Sequence, residues 1–288
     1  MDKASCAVLA IVGLVVAVAC AAACVGVAAL AYLSLEVSDR ALVEETITSE
    51  LVVNSPTTLV VRNPVGNITV QAGARRDVVT VEATKEARSL TESWAERLLE
   101  QIDLQIEEEG GSRVRVTVTR PEESRIQFVR VHLQVTVPRR VDVDVVNEAG
   151  HIQIVGTEGD VRVRSEAGNL RMADVTIANQ CDAMNVTGGI DFQGQLPQSR
   201  SGGEPWEMLL KTETGDIHVA VPADSRFALD AETETGQINA KFELENLQCS
   251  SASGEPGERL KGSVNQSRAG ENLILRTEAG NITLEPLP

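Results

Sequence analysis

Five stretches of the chain repeat one phrase: NEAGHIQI at 147–154, SEAGNLRM at 165–172, TETGDIHV at 212–219, TETGQINA at 233–240 and TEAGNITL at 277–284. An earlier relative, NPVGNITV, stands at 63–70, and shorter cousins are TEGDVRV at 157–163 and TGGIDF at 187–192. The consensus is Thr/Ser-Glu-small-Gly-polar-Ile-x-apolar. Its physics is simple. A glycine allows a turn at positive φ, and a short strand then points its Ile or Val inward. One such strand cannot bury its face alone, whereas stacked copies build a continuous narrow core. Glycines 150, 159 and 168 are nine apart, and Gly168 to Gly189 and Gly215 to Gly236 are each 21 apart. The uneven spacing predicts loops inserted between rungs, the clearest at 193–207 and 248–271.

Outward from the repeat, strand alternation continues. Val114, Val116 and Val118, then Val131, Leu133, Val135 and Val137, then Val141, Val143 and Val145 are separated by Arg, Asp, Gln, Thr or His. One buried and one wet face is the signature of a strand. The segment Lys85 to Leu99 breaks the pattern and predicts one short helix near 89–99. Ser89 and Glu92 form a capping box there, and Leu90, Trp94 and Leu98 share a face that plugs the helix against the sheet edge. Ile102, Leu104 and Ile106 resume a strand that ends at the Gly110–Gly111 turn. The expected fold is all-β, a right-handed solenoid of stacked short strands with one helix. A β-sandwich of hairpins also suits turns at this spacing, but it gives no reason for one phrase to recur six times.

Ahead of this lies a different composition. Residues 4–35 carry no charge, and 28 of the 32 are apolar. Beyond them only about 36% of residues are apolar and aromatics are scarce, which fits a thin, repeated core. As a helix the run would be about 48 Å long, against a hydrocarbon thickness of roughly 30 Å. Lys3 precedes it and Glu36 and Asp39 follow, so the reading is an N-terminal transmembrane anchor (1–35) in membrane lipid through residues 4–35. It is followed by an acidic stalk (36–50) and an exported repeat domain (51–288). A cleaved signal peptide, or lipid attachment at Cys20 or Cys24, would export the same domain. The expected location is the cell membrane, single-pass, with the C-terminal domain extracytoplasmic.

At NPVGNITVQAG (63–73), the helical stretch TESWAERLLEQIDLQIEEE (91–109), VTVP (135–138) and the recurrent (T/S)E(A/T)G(N/D/Q)I phrases, the chain resembles the bacterial putative-adhesin family of unknown-function domains. The resemblance covers roughly 51–288. It implies a right-handed β-helix or stacked-sheet fold on the outer face of a cell, and it brings no catalytic residues with it.

Chemistry is sparse. The net charge of −16 excludes nucleic acid as a general partner. His132, His151 and His218 are the only histidines, and none stands in an HxH or HExxH spacing. No GxSxG or phosphate-binding loop is present. Glu148, Glu166, Glu213, Glu234 and Glu278 occupy one place in the repeat. Stacked rungs would align them as a solvated column or a weak divalent-cation site. The expectation is no enzyme activity, no catalytic or metal residues and no cofactor. Cys181 and Cys249 could pair or stay free. Trp206 pins its loop to the body or anchors a ligand. Asn67, Asn185, Asn265 and Asn281 form sequons, and Arg139–Arg140 is a local basic spot. The function read from the sequence is a membrane-anchored, non-catalytic surface binding or adhesion-like module for a protein or glycan partner. The ectodomain of an envelope sensing system is the open alternative.

Overall fold

The computed structural model describes residues 41–54, 57–120, 129–197, 205–251, 257–265, 267 and 270–287. The apolar run at 4–35 lies outside them, and among the described residues no helix is long and apolar enough to cross a membrane. Among the described residues the fold is all-β with one helix. Its elements are β1 (Ala41–Val52), β2 (Thr57–Val65), β3 (Ile68–Ala72), β4 (Val78–Ser89), α1 (Glu92–Glu100), β5 (Asp103–Glu109), β6 (Arg113–Thr119) and β7 (Val129–Val137). Then come β8 (Val141–Ala149), β9 (Ile152–Val155), β10 (Glu158–Ala167), β11 (Leu170–Thr187), β12 (Ile190–Gln195), β13 (Trp206–Thr214) and β14 (Ile217–Val221). The last are β15 (Phe227–Thr235), β16 (Ile238–Ala240), β17 (Glu245–Ser251), β18 (Glu258–Val264), β19 (Glu271–Ala279) and β20 (Ile282–Pro286).

The repeat strands pair in parallel, in two columns. One column is the long strands β6, β2, β8, β10, the second half of β11, β13, β19 and β15. The other is the short strands β7, β3, β9, the first half of β11, β12, β14, β20 and β16. Parallel stacking lays each copy of the phrase on the next without reversal. Ile68, Ile152, Leu170, Ile190, Ile217 and Ile282 therefore fall in one buried row. Opposite them Val61, Val145, Val163, Ala183, Leu210, Leu275 and Ala231 form another. Hairpins of a sandwich would pair antiparallel; here that pairing is confined to the ends of the stack, at β1–β4–β7, β5–β6 and β15–β18–β17.

Stacking order is not chain order. The rung β2–β3 sits between β6/β7 and β8/β9, and the C-terminal rung β19–β20 is wedged between β13–β14 and β15–β16. Each terminal repeat is thus held on both sides, which shields its backbone edge.

The corner between columns explains the glycines. Gly168 has φ +131°, and a Cβ there would lie 2.1 Å from the Gly150 carbonyl oxygen of the next rung. The same approach recurs up the stack through Gly66, Gly150, Gly188, Gly215, Gly280 and Gly236. The fourth corner glycine is Gly188, not Gly189, which takes the polar place of the phrase. Gly159 is not a member of this turn row either: it lies in β10, where a Cβ would strike the Val141 carbonyl at 2.2 Å.

The ends differ from the sequence expectation. From Ala41 the expected acidic stalk is an edge strand, β1, paired along its length with β4. The expected helical start at 85–89 belongs to β4, because Lys85 and Ala87 are buried between β1 and β7. The helix begins at Glu92 behind Thr91, whose side chain makes no capping bond, so the Ser89–Glu92 box does not form. Its buried face is Ala95, Leu98 and Leu99. Trp94 is 57% and Leu90 80% exposed, so Trp94 does not plug the helix against the sheet. The expected loop at 248–271 holds the end of β17 and all of β18, an antiparallel pair that caps the long-strand column. Of the expected loop at 193–207, residues 198–204 lie outside the described residues, and Trp206 opens β13.

Candidate functional site

Three positions of the phrase turn out to build the corner. The first, Thr or Ser in the consensus, points inward: Asn63, Asn147, Ser165, Asn185, Thr212, Thr277 and Thr233 are all buried. All but two of them donate to the glycine carbonyls that the turn aims into the core; Asn63 serves the Val131 carbonyl instead, and the Ser165 hydroxyl has no partner among the described residues. Asn185 Nδ2 reaches the Gly168 and Gly188 carbonyls at 2.8 and 2.9 Å. Thr212, Thr277 and Thr233 hydroxyls serve Gly188, Gly215 and Gly280 at 3.0, 3.0 and 2.8 Å. A buried carbonyl without a donor is costly, so a short donor is required there.

The polar residue after the glycine forms a second ladder outside. Asn67 Oδ1 accepts the His151 N–H at 3.0 Å, His151 Nδ1 accepts the Asn169 N–H at 3.0 Å, and Asn169 Oδ1 accepts the Gly189 N–H at 3.0 Å. Gly189 has no side chain, and the ladder restarts with Asp216, Asn281 and Gln237. His132 Nδ1 accepts the Asn67 N–H at 3.2 Å at the other end. Two of the three histidines are therefore rungs of a backbone cap.

The turn acids are exposed, and their row is interrupted by Val186. Glu148 pairs with Arg120 at 3.0 Å. Among the described residues no group of three or more His, Cys, Asp or Glu could hold a metal. Cys181 is buried and Cys249 exposed, and both are free thiols. Burial, and then the nearby Asp182 and Asp160 charges, push the Cys181 thiol up to about 12, so it is inert at neutral pH. Trp206 is 4% exposed and pins its strand to the core, leaving no indole surface for a ligand. Three of the four sequon amides donate: Asn185 as above, Asn265 to the Ala223 and Ser225 carbonyls, and Asn281 to Asp216 at 3.3 Å.

The chemistry that remains free lies on the outer faces. On the long-strand face a groove of about 410 Å³ runs across β6, β2, β8, β10 and the middle of β11 at Gln180. Arg62, Arg113, Arg115 and Arg162 line it, with Asp142, Asp144 and Asp160. Strand register puts Arg115, Val60, Asp144, Arg162 and Asp182 in one row. Arg62 grips Asp144 with two bonds of 3.0 and 3.1 Å. Arg113 and Arg115 share Glu109 at 3.8 and 3.1 Å. Asp142 and Asp160 are committed to backbone N–H groups of Asp160, Asn179 and Gln180. Arg162 makes no ion pair among the described residues.

On the short-strand face, five successive rungs carry a string of alternating charge. Arg171 meets Asp191 at 3.6 Å, and His218 is clasped by Asp191 at 2.8 Å and Glu285 at 3.1 Å, with Lys241 on Glu285. Partial burial alone would lower the His218 pKa, but the hydrogen bonds and charges of Asp191 and Glu285 outweigh it and raise it. Lys241, and then His218, hold the Glu285 carboxyl below its usual range. At the end of the long-strand face Asp230 meets Arg276 at 2.9 Å, Lys261 at 2.9 Å and Arg259 at 3.2 Å. Partial burial there is overcome by these three cations, and the Asp230 carboxyl falls to about 2.

The sequence reading singled out none of the groove arginines. The signal was present, since Arg113/Arg115 and Arg162/Arg164 are the wet positions of RVRV and VRVR. Counting from the corner glycines also puts Arg171, Asp191 and His218 at one place of the phrase. What was missing was the stacking order, which brings Glu285 beside His218.

No family model matches the chain, and no curated protein matches it. Among solved structures it is similar to a putative cell adhesion protein from Clostridium sporogenes, at 11% identity over 84% of this chain and 100% of that one, with a TM-score of 0.43. A putative adhesin from Bacteroides fragilis follows at 9% identity, 84% and 97% coverage and a TM-score of 0.38. A putative lipid binding protein from Parabacteroides distasonis shows 9% identity, 85% and 97% coverage and a TM-score of 0.25. Identities near a tenth with TM-scores below 0.5 leave function to be argued from this chain's own residues.

Proposed function

We propose that the chain is a membrane-anchored, extracytoplasmic β-solenoid of the putative-adhesin kind, right-handed, serving as a non-catalytic binding module for a surface protein or glycan. The observation that carries this reading is the arginine groove on the long-strand face. Its guanidinium groups rise from the neighbouring strands β6 and β2 and from β10 two strands further on, a spread that suits repeated contacts along an extended partner. Arginine forks bind planar carboxylates and carbonyls in pairs of hydrogen bonds. The uncharged run at 4–35 supports the anchor, and the corner ladders account for the recurrent phrase without a reaction.

The test is binding of the purified full chain in detergent to arrays of polysaccharides and extracellular proteins, compared with the R113A/R162A variant. Loss of two charge-assisted contacts should weaken the captured partner roughly tenfold or more, with an unchanged circular dichroism spectrum. Equal binding by the variant would reject the groove, and chemical conversion of a bound glycan would reject the non-catalytic reading.

A further inference from the structure

We propose that the end of the domain carrying Leu42, Leu90 and Trp94 rests on the surface of the lipid bilayer. This inference rests on the reading of residues 4–35 as a retained anchor. Six large apolar residues are conspicuously exposed among the described residues, and three of them are Leu42 (48%), Leu90 (80%) and Trp94 (57%). Strand register gathers these three at one end of the fold. Ala41 pairs with Ser89 and Leu42 with Arg88, so Leu90 follows directly where β4 leaves the pair. Trp94 lies in the first turn of α1, its N–H on the Thr91 carbonyl. The helix buries Ala95, Leu98 and Leu99 against the sheet, which turns Trp94 outward. Val52, another exposed apolar residue, lies at the opposite end of β1.

Chain length then names the occupant. The apolar run ends at Leu35, and β1 begins at Ala41. Six residue steps span at most about 20 Å. If the run crosses the membrane, this end of the domain is held within that distance of the hydrocarbon boundary, whichever way the linker runs. The side chains are those that favour the interface: an indole, two leucines, and Arg97, whose guanidinium stacks 5.2 Å from the Trp94 ring centre. Glu92 and Glu96 on the same helix, and Glu44 and Glu45 on β1, keep the contact at headgroup depth. They also favour a zwitterionic leaflet over an anionic one. A docked end would fix how the stack stands on the membrane, and hence where the arginine groove faces.

The experiment uses the full chain reconstituted into phosphatidylcholine vesicles with bromine at shallow acyl positions. Trp94 and Trp206 are the only tryptophans, and Trp206 is buried in β13. About half of the indole emission should be quenched relative to unbrominated vesicles, and W94F should abolish the quench while the protein still floats with lipid. Three results would overturn the docking. A floating chain with unquenched Trp94 removes the docking and leaves the anchor reading intact. Trp94 emission that responds to protein concentration and not to bromine makes the occupant a second copy. A chain that washes off the vesicles at high pH removes the anchor reading, and the docking with it.

Discussion

The inner corner and the outer faces of the same rungs are built on opposite rules. At the corner, backbone meets backbone: each glycine lies over the next, and the carbonyls of Gly66, Gly150, Gly168, Gly188, Gly215 and Gly280 are each met by a short buried donor. On the faces, long charged side chains meet one another across exposed strands. Corners tolerate almost no change of shape, whereas faces tolerate almost any change of charge. A repeat therefore preserves its corner phrase while its faces are free to diverge into a binding surface.

The largest effect should come from giving the corner a Cβ. Gly168→Ala forces a contact of 2.1 Å with the Gly150 carbonyl at a φ of +131°. Strain of about 1–3 kcal/mol, with displacement of the rung added, should cost more than about 3 kcal/mol in urea denaturation. Gly168→Val should do worse. The comparison glycine is Gly110, at φ +65° in the β5–β6 turn, where a Cβ would meet nothing within 4 Å. Gly110→Ala should cost only about 1–2 kcal/mol, the ordinary left-handed penalty. Equal losses at the two sites would show that φ, not close stacking, governs the corner.

A middling effect belongs to the donors. Asn185→Ala should lose about 1–3 kcal/mol, because the Gly168 carbonyl is left buried without its amide. Arg164→Ala on the outer face of the neighbouring strand β10 removes an exposed pair with Asp182 at 3.3 Å and a weak bond to the Met184 sulfur at 3.4 Å. It should shift the melting temperature by no more than about 0–1 kcal/mol would. A larger loss at Arg164 than at Asn185 would reverse the proposed hierarchy.

Legibility in the sequence follows the same division. The phrase exposes the corner because glycine, a short donor and an inward Ile each answer a local demand, so the stacked-strand reading needs no partner strand to be known. Elements whose state depends on distant pairing were misread. Lys85–Ser89 has helical composition, yet it is a strand because β1 and β7 flank it. The hairpin β17–β18 is weakly apolar and reads as loop, yet β15 supplies its pairing. The groove and the His218 string were hidden for a topological reason. The chain places β2–β3 and β19–β20 out of order: nothing local puts Arg62 between β6 and β8, and no local feature of TEAGNITL announces that it sits beside TETGDIHV.

The smallest effect concerns protons on the outer faces. His218 has a raised folded pKa, so its contribution is complete below the unfolded value near 6.5 and fades as pH rises through the folded one. Asp230 has a depressed one, so its contribution is complete above the unfolded value near 3.8 and fades as pH falls through about 2. Both groups are partly solvated, and screening should hold each contribution to about 1 kcal/mol or less. Melting curves of the wild type and His218→Gln should therefore differ most near pH 5–6 and converge as the medium becomes alkaline. Asp230→Asn should differ from the wild type at neutral pH and converge with it only in strong acid. The corner carries no titrating group in its buried row of Asn, Ser and Thr, so Asn185→Ala should show the same deficit across the whole range. A deficit at Asn185 that followed pH, or one at His218 that ignored it, would erase the distinction between a corner held by packing and a face held by charge.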